Sequence, residues 1–309
     1  MTTEPMPTIA DSVSLKPVIA VIPAYNEDRF IGSVVLKTRH YVDRVLVIDD
    51  GSSDTTARVA EEAGATLIPH AINQGKAQAI NTGLQRAREL DAGVVVLLDA
   101  DGQHDPHQIP SLLAPIERGE ADLVVGSRFL EMHSDIPRWR TVGQHALTLA
   151  TNVASGVALT DSQSGFRALS RRALDKIRFR PGGGFSMESE MQFLIQQHSL
   201  AVQEVAVTMT YAEGPKRNPF THGLQVLNGI ITMVSLNRPL FFFGLAGLIL
   251  LVIGFTLGVD VVNRYNRYQT LATGRALISV LLAMIGMQAL FTGMILHSIR
   301  AFLASYREA

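Results

Sequence analysis

Apolar positions in the first two thirds of the chain alternate between short continuous runs and helical spacings. Six short apolar runs have the length and composition of strands, and they lie at residues 17–22, 44–48, 66–69, 93–98, 122–125 and 205–211. Between the early runs, apolar residues recur with the period of amphipathic helices, as at Ile31, Val34 and Val35. Strands that alternate with helices predict an α/β fold with a doubly wound, mostly parallel sheet.

The last third of the chain has a different pattern. Residues 240–259 contain no charged residue, and residues 276–299 form a second such run. A helix rises ~1.5 Å per residue, so either run spans the ~30 Å hydrocarbon core of a bilayer. The pattern predicts a transmembrane hairpin joined by a polar connection at 260–275, and the length of the runs disfavours a pair of buried core helices. Residues 220–237 have an amphipathic pattern that is typical of an interfacial helix.

Composition and charge narrow the function classes. The 309 residues carry a formal net charge of −1 and no basic tract, so nucleic acid is not an expected partner. The absence of cysteine excludes disulfides and thiolate metal sites. Residues before Pro17 lack the apolar core of a secretory signal, which favours synthesis and retention in the cytosol.

Two of the predicted strands end in carboxylates. Asp99-Ala100-Asp101 follows the run at 93–98, and Asp49-Asp50 follows the run at 44–48. Parallel strands deliver their last residues to one edge of the sheet, where open α/β proteins bind ligands. Two hard oxygen ligands there suit Mg²⁺ or Mn²⁺ with a phosphorylated substrate. Taken alone, the same residues also suit an ordinary turn.

Five motifs, in their order and spacing, resemble family 2 glycosyltransferases of the GT-A fold. They are Ile22-Pro23-Ala24-Tyr25-Asn26-Glu27, Asp49-Asp50-Gly51-Ser52-Ser53-Asp54, Asn73-Gln74-Gly75-Lys76, Asp99-Ala100-Asp101-Gly102-Gln103 and Gly126-Ser127-Arg128. Within that family the chain is most similar to polyprenyl-phosphate glycosyltransferases of the dolichol-phosphate mannose synthase type. The resemblance implies a membrane-bound inverting enzyme that moves a hexose from a nucleotide sugar to polyprenyl (dolichyl or undecaprenyl) phosphate. GDP-mannose, UDP-glucose and UDP-N-acetylhexosamine all stay open as donors.

The resemblance divides the chain into five parts. They are a flexible lead at 1–16, a GT-A catalytic domain at 17–215, a juxtamembrane amphipathic segment at 216–238, a transmembrane hairpin at 239–303 and a short tail at 304–309. Basic residues flank both ends of the hairpin, so the positive-inside rule favours a cytoplasmic catalytic domain by a small margin. Close packing of the membrane helices is a possible route to a homo-oligomer, through Gly244, Gly247, Gly254 and Gly258.

On the donor side, the chemistry and the resemblance together predict a metal site and a nucleotide pocket. The diphosphate leaves as an anion, so the site needs a cation, for which Asp99 and Asp101 are the expected ligands and Gln103 a weaker one. The resemblance implies that the nucleotide-sugar pocket is formed by Pro23, Tyr25, Glu27, Asp50, Lys76, Asp99, Ala100 and Asp101. Lys76 follows a glycine, but no glycine lies five residues before Gly75, so the spacing excludes a phosphate loop. A solvated helix residue is an equal interpretation of Lys76.

On the acceptor side, residues 160–168 resemble the family's acceptor segment. The expected catalytic residues are Asp161, Arg128 and Arg167. A sugar hydroxyl acceptor would need Asp161 as a general base, whereas a lipid phosphate is already anionic and would leave Asp161 to orient Arg167 or the donor sugar. Arg128 and Arg167 are the first choices for binding the acceptor phosphate, followed by Arg138, Arg140, Lys216 and Arg217.

Two other interpretations differ from lipid glycosylation. A processive polysaccharide synthase normally carries a Gln-x-x-Arg-Trp segment after the acceptor motif, whereas Arg138-Trp139 precedes it here. The second is a non-catalytic membrane scaffold that binds nucleotide sugars. The joint presence of four residues argues against it, namely Asp99, Asp101, Asp161 and Arg167. Glu188 and Glu190 suit either a contact with the sugar or stabilisation of a helix dipole.

Overall fold

The computed structural model describes residues 17–130, 138–179, 187–209 and 238–308, together with residues 231 and 235. The chain divides into two compact units, with the boundary after Leu227. The predicted lead at 1–16, residues 180–186 and most of the predicted juxtamembrane segment at 216–238 lie outside the described residues.

The first unit is built on a seven-stranded sheet with the order β3-β2-β1-β4-β6-β5-β7. Its strands are β1 Val18–Ala24, β2 Arg44–Asp49, β3 Thr66–Pro69, β4 Val94–Leu97, β5 Leu123–Ser127, β6 Arg167–Ser170 and β7 Val202–Ala206. β6 runs antiparallel to β4 and β5, and the other neighbouring pairs are parallel. The predicted doubly wound, mostly parallel sheet is therefore confirmed.

Helices cover both faces of this sheet. They are α1 Asp28–Thr38, α2 Thr56–Glu62, α3 Lys76–Glu89, α4 Ile109–Glu117, α5 Arg138–Ser155, α6 Arg171–Lys176 and α7 Met187–Gln197. Successive side chains of a strand point to opposite faces. Ala20 and Ile22 of β1 accordingly join an apolar core with α1 and α4, while Ile19 and Val21 join a second core with α3 and α6.

One predicted strand of this unit was misplaced and one strand was missed. The late strand lies at Val202–Ala206 rather than 205–211, because this stretch pairs along the whole length of β5. Arg138 and Arg140 lie in the first turn of α5. β6 was not expected, because a four-residue strand that begins with arginine has no apolar run, and its pairing with β4 and β5 determines its conformation.

The second unit is a helical hairpin. α8 spans Pro239–Tyr268 and α9 spans Thr273–Glu308, and both contain a stretch long and apolar enough to cross a membrane. The expected polar connection at 260–275 is instead mostly helical, and only residues 269–272 separate the helices. Polar residues can continue a helix as well as apolar ones, and the Asp260 carboxylate pairs with Arg264 one turn later and with Arg275 across the hairpin.

Glycines bring the two helices of the hairpin close together. A Cβ atom on Gly247 would lie 2.6 Å from the carbonyl oxygen of Gly286, and one on Gly254 would lie 2.9 Å from the backbone nitrogen of Ala283. Small residues permit this approach of two backbones. Gly247 and Gly254 thus serve a contact within one chain, and the homo-oligomer stays a prediction.

Candidate active site at the carboxyl edge of the sheet

The donor motifs meet where β1, β2 and β4 end. Ala24 of β1 is in register with Asp49 of β2, and Val21 of β1 with Leu97 of β4. The residues that follow these strands therefore emerge side by side at the carboxyl edge, which is the ligand-binding edge of open α/β sheets.

The loops after β1 and β2 hold each other through side-chain to backbone bonds. Asn26 adopts a left-handed conformation with φ 54°, which asparagine tolerates better than most residues. Its side-chain oxygen accepts a hydrogen bond from the amide of Ser53 at 2.8 Å, and its own amide donates to the Ser52 hydroxyl at 2.9 Å. Asp49 accepts from both the amide and the hydroxyl of Ser52. This arrangement leaves the Tyr25 ring 48% exposed at the edge of the site.

Asp50 organises the loop that leads to Lys76. Its carboxylate accepts hydrogen bonds from the amides of Gln74 and Gly75 at 2.9 and 2.7 Å and lies 2.7 Å from Nδ1 of His70. Gly75 has φ 91°, a conformation that favours glycine, and α3 begins at the next residue. The buried Asp50 side chain thus determines where Lys76 starts its helix.

Lys76 forms ion pairs with two acids from separate segments. Its Nζ lies 2.7 Å from Oδ1 of Asp99 and 2.8 Å from Oε1 of Glu188, in the first turn of α7. Burial lowers the pKa of Lys76, but the two carboxylates outweigh burial and raise it above its usual value. Burial likewise raises the pKa values of Asp99 and Glu188, and Lys76 reverses that effect and brings both below their usual values. The three groups are therefore charged at neutral pH.

Asp101 and His104 complete the turn after β4. The Asp101 carboxylate accepts hydrogen bonds from the amide of Gln103 at 3.0 Å and from its side-chain nitrogen at 2.7 Å. Burial, and then the nearby charge of Asp99, raise the pKa of Asp101. His104 is buried, stacks on Phe166 and accepts a hydrogen bond from the Asp99 amide through Nδ1 at 3.0 Å. Sequence reasoning missed His104, although it directly follows the Asp99–Gln103 motif.

The donor set at this turn fits a divalent cation. Burial first, and then the charge of Asp99, raise the pKa of Asp101, and a bound cation would relieve the repulsion between the two carboxylates. No group of three or more His, Cys, Asp or Glu ligands occurs in the described parts of the chain. The residues present therefore fit Mg²⁺ or Mn²⁺, ions that take part of their coordination shell from water and substrate phosphates.

Arg128 and Asp161 form a buried pair at the end of β5. The guanidinium donates from Nε to Oδ2 at 2.6 Å and from Nη2 to Oδ1 at 2.7 Å, and the Arg128 amide adds a bond to Oδ2. Asp161 has no exposed surface. Glu204 of β7 accepts hydrogen bonds from the amides of Thr160 and Asp161. This bidentate geometry fixes the planes of both side chains.

Arg167 lies behind the site rather than on its surface. It is fully buried, and it donates from Nε to the carbonyl oxygen of Ser164 and from Nη2 to that of Ser162. Its Nη1 has no hydrogen-bond partner among the described residues. Within the same segment, a Cβ on Gly165 would lie 2.7 Å from Oδ2 of Asp99. Arg167 thus shapes the segment that packs directly against Asp99.

The remaining candidates differ in position. Pro23 is half-buried in β1, Glu27 is half-buried at the start of α1, and Ala100 is buried beside Asp99. Arg138 and Arg140 are in α5, but their side chains are outside the described part of the structure, as are Lys216 and Arg217 altogether. The structure therefore brings together the donor-side residues, while these acceptor-side cations stay predictions.

Solved structures share this fold. The crystal structure of glucosyl-3-phosphoglycerate synthase from Mycobacterium tuberculosis in complex with Mn²⁺ and UDP-glucose aligns with a TM-score of 0.56 and 24% sequence identity, over 75% of this chain and 85% of that one. The complex of the same synthase with UDP aligns with a TM-score of 0.57 and 23% identity, over 76% and 87% of the two chains. The first unit therefore has the GT-A fold.

Curated relatives and a family model match the sequence. The UDP-N-acetylglucosamine–dolichyl-phosphate N-acetylglucosaminyltransferase of Methanococcus voltae is 32% identical over 64% of this chain and 87% of its own. The polyprenol monophosphomannose synthase of Mycolicibacterium smegmatis is 28% identical over 63% and 78%. The model "Glycosyl transferase family 2" matches residues 19–178, more than half of the chain. The chain accordingly belongs to glycosyl transferase family 2 and is a glycosyltransferase.

Proposed function

We propose that this enzyme transfers a hexose, with inversion, from a nucleotide sugar to a polyprenyl phosphate at a membrane. The observation that carries the proposal is the meeting of Asp99, Asp101 and Lys76 at the carboxyl edge of the sheet. The same chain contains two helices long and apolar enough to span a bilayer. The Methanococcus relative is named for transfer to dolichyl phosphate and the Mycolicibacterium relative for synthesis of a polyprenol monophosphomannose, and both names support a lipid phosphate acceptor.

The donor half of the reaction follows from the charges at the end of β4. Asp99 and Asp101 would hold Mg²⁺ or Mn²⁺, which when bound neutralises charge on the departing diphosphate. A neighbouring structure with Mn²⁺ and UDP-glucose supports this choice of ion and of donor class. The ammonium of Lys76 adds a positive charge to the same site. The exposed Tyr25 ring offers an apolar surface to the base or ribose.

The acceptor half needs little proton transfer. An oxygen of the lipid phosphate attacks the anomeric carbon, the bond from that carbon to the diphosphate breaks, and the nucleoside diphosphate leaves with the electron pair. Because the attacking oxygen is already anionic, a general base contributes little. The bidentate bond from Arg128 to the fully buried Asp161 supports a positioning role for Asp161 rather than a role as base.

We further propose that Arg128 and Arg167 act mainly by shaping the acceptor segment. Both guanidinium groups are buried, and their bonds go to Asp161 and to the carbonyl groups of Ser162 and Ser164. The acceptor phosphate would then bind cations elsewhere, for which Arg138, Arg140, Lys216 and Arg217 are the candidates. The catalytic domain is assigned to the cytoplasmic side, where nucleotide sugars are made.

An assay with matched donors and acceptors tests the proposal. Purified full-length protein with Mn²⁺ or Mg²⁺ receives labelled GDP-mannose, UDP-glucose or UDP-N-acetylglucosamine, together with a polyprenyl phosphate, the corresponding polyprenol or a free oligosaccharide. We expect one donor to label the lipid phosphate alone. Label in a growing polymer would indicate a polysaccharide synthase, and donor binding without any transfer would indicate a scaffold.

A further inference from the structure

The ammonium of Lys76 occupies an oxygen of a carboxylate that the proposed function assigns to the metal. Nζ lies 2.7 Å from Oδ1 of Asp99 and 2.8 Å from Oε1 of Glu188. The Glu188 side chain is only 11% exposed, and Lys76 and Glu188 are 112 positions apart in the chain. The fold therefore places a charged lysine at a defined position between two carboxylates, one of which is a predicted metal ligand.

We propose that Lys76 is a resident counter-ion that a divalent cation displaces from Asp99, and that Glu188 retains its ammonium in the site after displacement. This inference rests on the proposed donor site. A divalent cation and an ammonium that share one carboxylate oxygen repel each other at this short distance. Glu188 offers Lys76 a second partner, so the ammonium keeps an ion pair when the cation takes Asp99.

The surroundings of Asp99 favour displacement of Lys76 by a cation. Asp101 and Glu188 both interact electrostatically with Asp99, so the site offers two further carboxylates to positive charge. The Lys76 side chain is 38% exposed and already contacts Glu188, so its ammonium has room to move without losing a carboxylate partner. The cation therefore takes Asp99 while Lys76 stays paired with Glu188.

This arrangement couples the metal to the donor. Without nucleotide, the cation competes with Lys76 for Asp99 and binds weakly. The diphosphate of the donor brings negative charge that satisfies both the cation and the ammonium, so donor and metal bind with positive cooperativity. Lys76 is therefore a positioning residue that makes metal binding depend on the nucleotide sugar.

The test measures Mn²⁺ uptake by the detergent-solubilised full-length protein without nucleotide, using the electron paramagnetic resonance signal of free Mn²⁺. Lys76→Met removes the competitor, and we expect about tenfold tighter Mn²⁺ binding. Lys76→Arg keeps the positive charge and is expected to bind Mn²⁺ like the unaltered protein. Lys176→Met removes an exposed lysine at the end of α6 and controls for overall charge.

Glu188→Gln is expected to weaken Mn²⁺ binding, in contrast to Lys76→Met. It confines the ammonium to Asp99, so Mn²⁺ binding weakens by about threefold or more. Because the substitution also removes a nearby negative charge, it is repeated together with Lys76→Met. If Glu188 acts through Lys76, its effect is smaller in that double variant than in the unaltered background. An equal effect in both backgrounds overturns the role of Glu188.

The outcomes separate this inference from the proposed function. Equal or weaker Mn²⁺ binding by Lys76→Met overturns the counter-ion role, provided that Asp101→Asn abolishes Mn²⁺ uptake and so confirms the metal site. If the unaltered protein takes up no Mn²⁺ that depends on Asp101, the metal site of the proposed function fails and the counter-ion role fails with it. A similar gain for Lys176→Met would also overturn the inference.

Discussion

The buried pair of Arg128 and Asp161 is the residue-scale feature that most affects how the acceptor side is understood. Both oxygens of Asp161 accept from one guanidinium at 2.6 and 2.7 Å, and Asp161 is fully buried. A base must present a free oxygen to the proton that it removes. The pair instead joins the end of β5 to the acceptor segment, so its integrity is a matter of stability as well as activity.

Asp161→Asn is expected to destabilise the protein, because it removes the carboxylate charge that faces the buried Arg128 guanidinium. Loss of one member of a buried ion pair costs about 3–5 kcal/mol, which lowers the thermal midpoint by about 10 °C. The combined Arg128→Met and Asp161→Asn variant removes both charges and should regain much of that loss. Circular dichroism melts of the detergent-solubilised protein measure the midpoints. An unchanged midpoint with abolished transfer would favour the general-base role instead.

At the scale of elements, the segment at 160–167 meets the turn after β4. Gly165 is the point of contact, since a Cβ there would lie 2.7 Å from Oδ2 of Asp99. The carbonyl groups of Ser162 and Ser164 bind the buried Arg167, so the segment has little freedom to withdraw. The position of Asp99 therefore depends on the acceptor segment.

Gly165→Ala tests this dependence. The added methyl group must push the Asp99 carboxylate aside, and a displacement of about 1 Å at a reacting centre costs up to about a hundredfold in rate. We expect kcat/KM for the donor to fall about tenfold or more with little change in the thermal midpoint. Gly274→Ala is the matched control, since a Cβ there has open space around it. Equal kinetics for the two variants would refute the coupling.

The hairpin provides a second prediction at this scale. In Gly247→Ala, the new Cβ would lie 2.6 Å from the carbonyl oxygen of Gly286, and neither a Cβ nor a backbone oxygen can rotate away. The helices must separate, so we expect a lower thermal midpoint of the helical circular dichroism signal than in Gly274→Ala. If the two variants have the same thermal midpoint, the close approach of α8 and α9 contributes nothing to stability.

The local pattern of apolar residues predicted the strands and helices with strong periodicity. It missed those elements whose conformation depends on pairing with residues far away in the sequence. The continuous apolar run before Asp99 predicted β4 and the edge that carries the carboxylates. β6 has no such pattern, because four residues that start with arginine form a strand only between β4 and β5. The pairing of Lys76 with Glu188 had no sequence signal, since it depends on how α3 and α7 approach each other across 112 positions.

Residue type was also a poor guide to exposure. Arg167 carries a charge and lies in a motif, so it was expected to bind phosphate, yet it is fully buried beneath the acceptor segment. Burial of an arginine requires carbonyl and carboxylate partners that only the folded loop supplies. By contrast, Asp99 and Asp101 follow directly from the end of a parallel strand, where topology exposes side chains to ligand.

At the scale of the whole molecule, one chain combines the GT-A fold with two candidate membrane spans. The chain has no cysteine, so single introduced cysteines report which side of a membrane each part faces. Glu62 at the end of α2 is exposed, and Thr270 lies exposed in the short connection between α8 and α9. These two positions are expected to lie on opposite sides of the bilayer.

Labelling of Glu62→Cys and Thr270→Cys with a membrane-impermeant maleimide in intact cells measures this orientation. A cytoplasmic catalytic domain predicts that Thr270→Cys reacts at once and that Glu62→Cys reacts only after the membrane is permeabilised. The unaltered cysteine-free protein is the blank. The reverse pattern would place the catalytic domain outside, and equal labelling of both positions would be inconsistent with a spanning hairpin.

We propose above all that the carboxylates at the end of β4 support transfer of a hexose to a lipid phosphate. The most direct measurement compares lipid-extractable label formed from nucleotide sugar and polyprenyl phosphate by the unaltered protein, Asp101→Asn and Asp91→Asn. Asp91 is exposed at the opposite edge of the sheet, and its φ of 54° suits asparagine. We predict that Asp101→Asn loses at least about a hundredfold in transfer while Asp91→Asn keeps full activity. Undiminished formation of glycosyl phospholipid by Asp101→Asn would contradict the account.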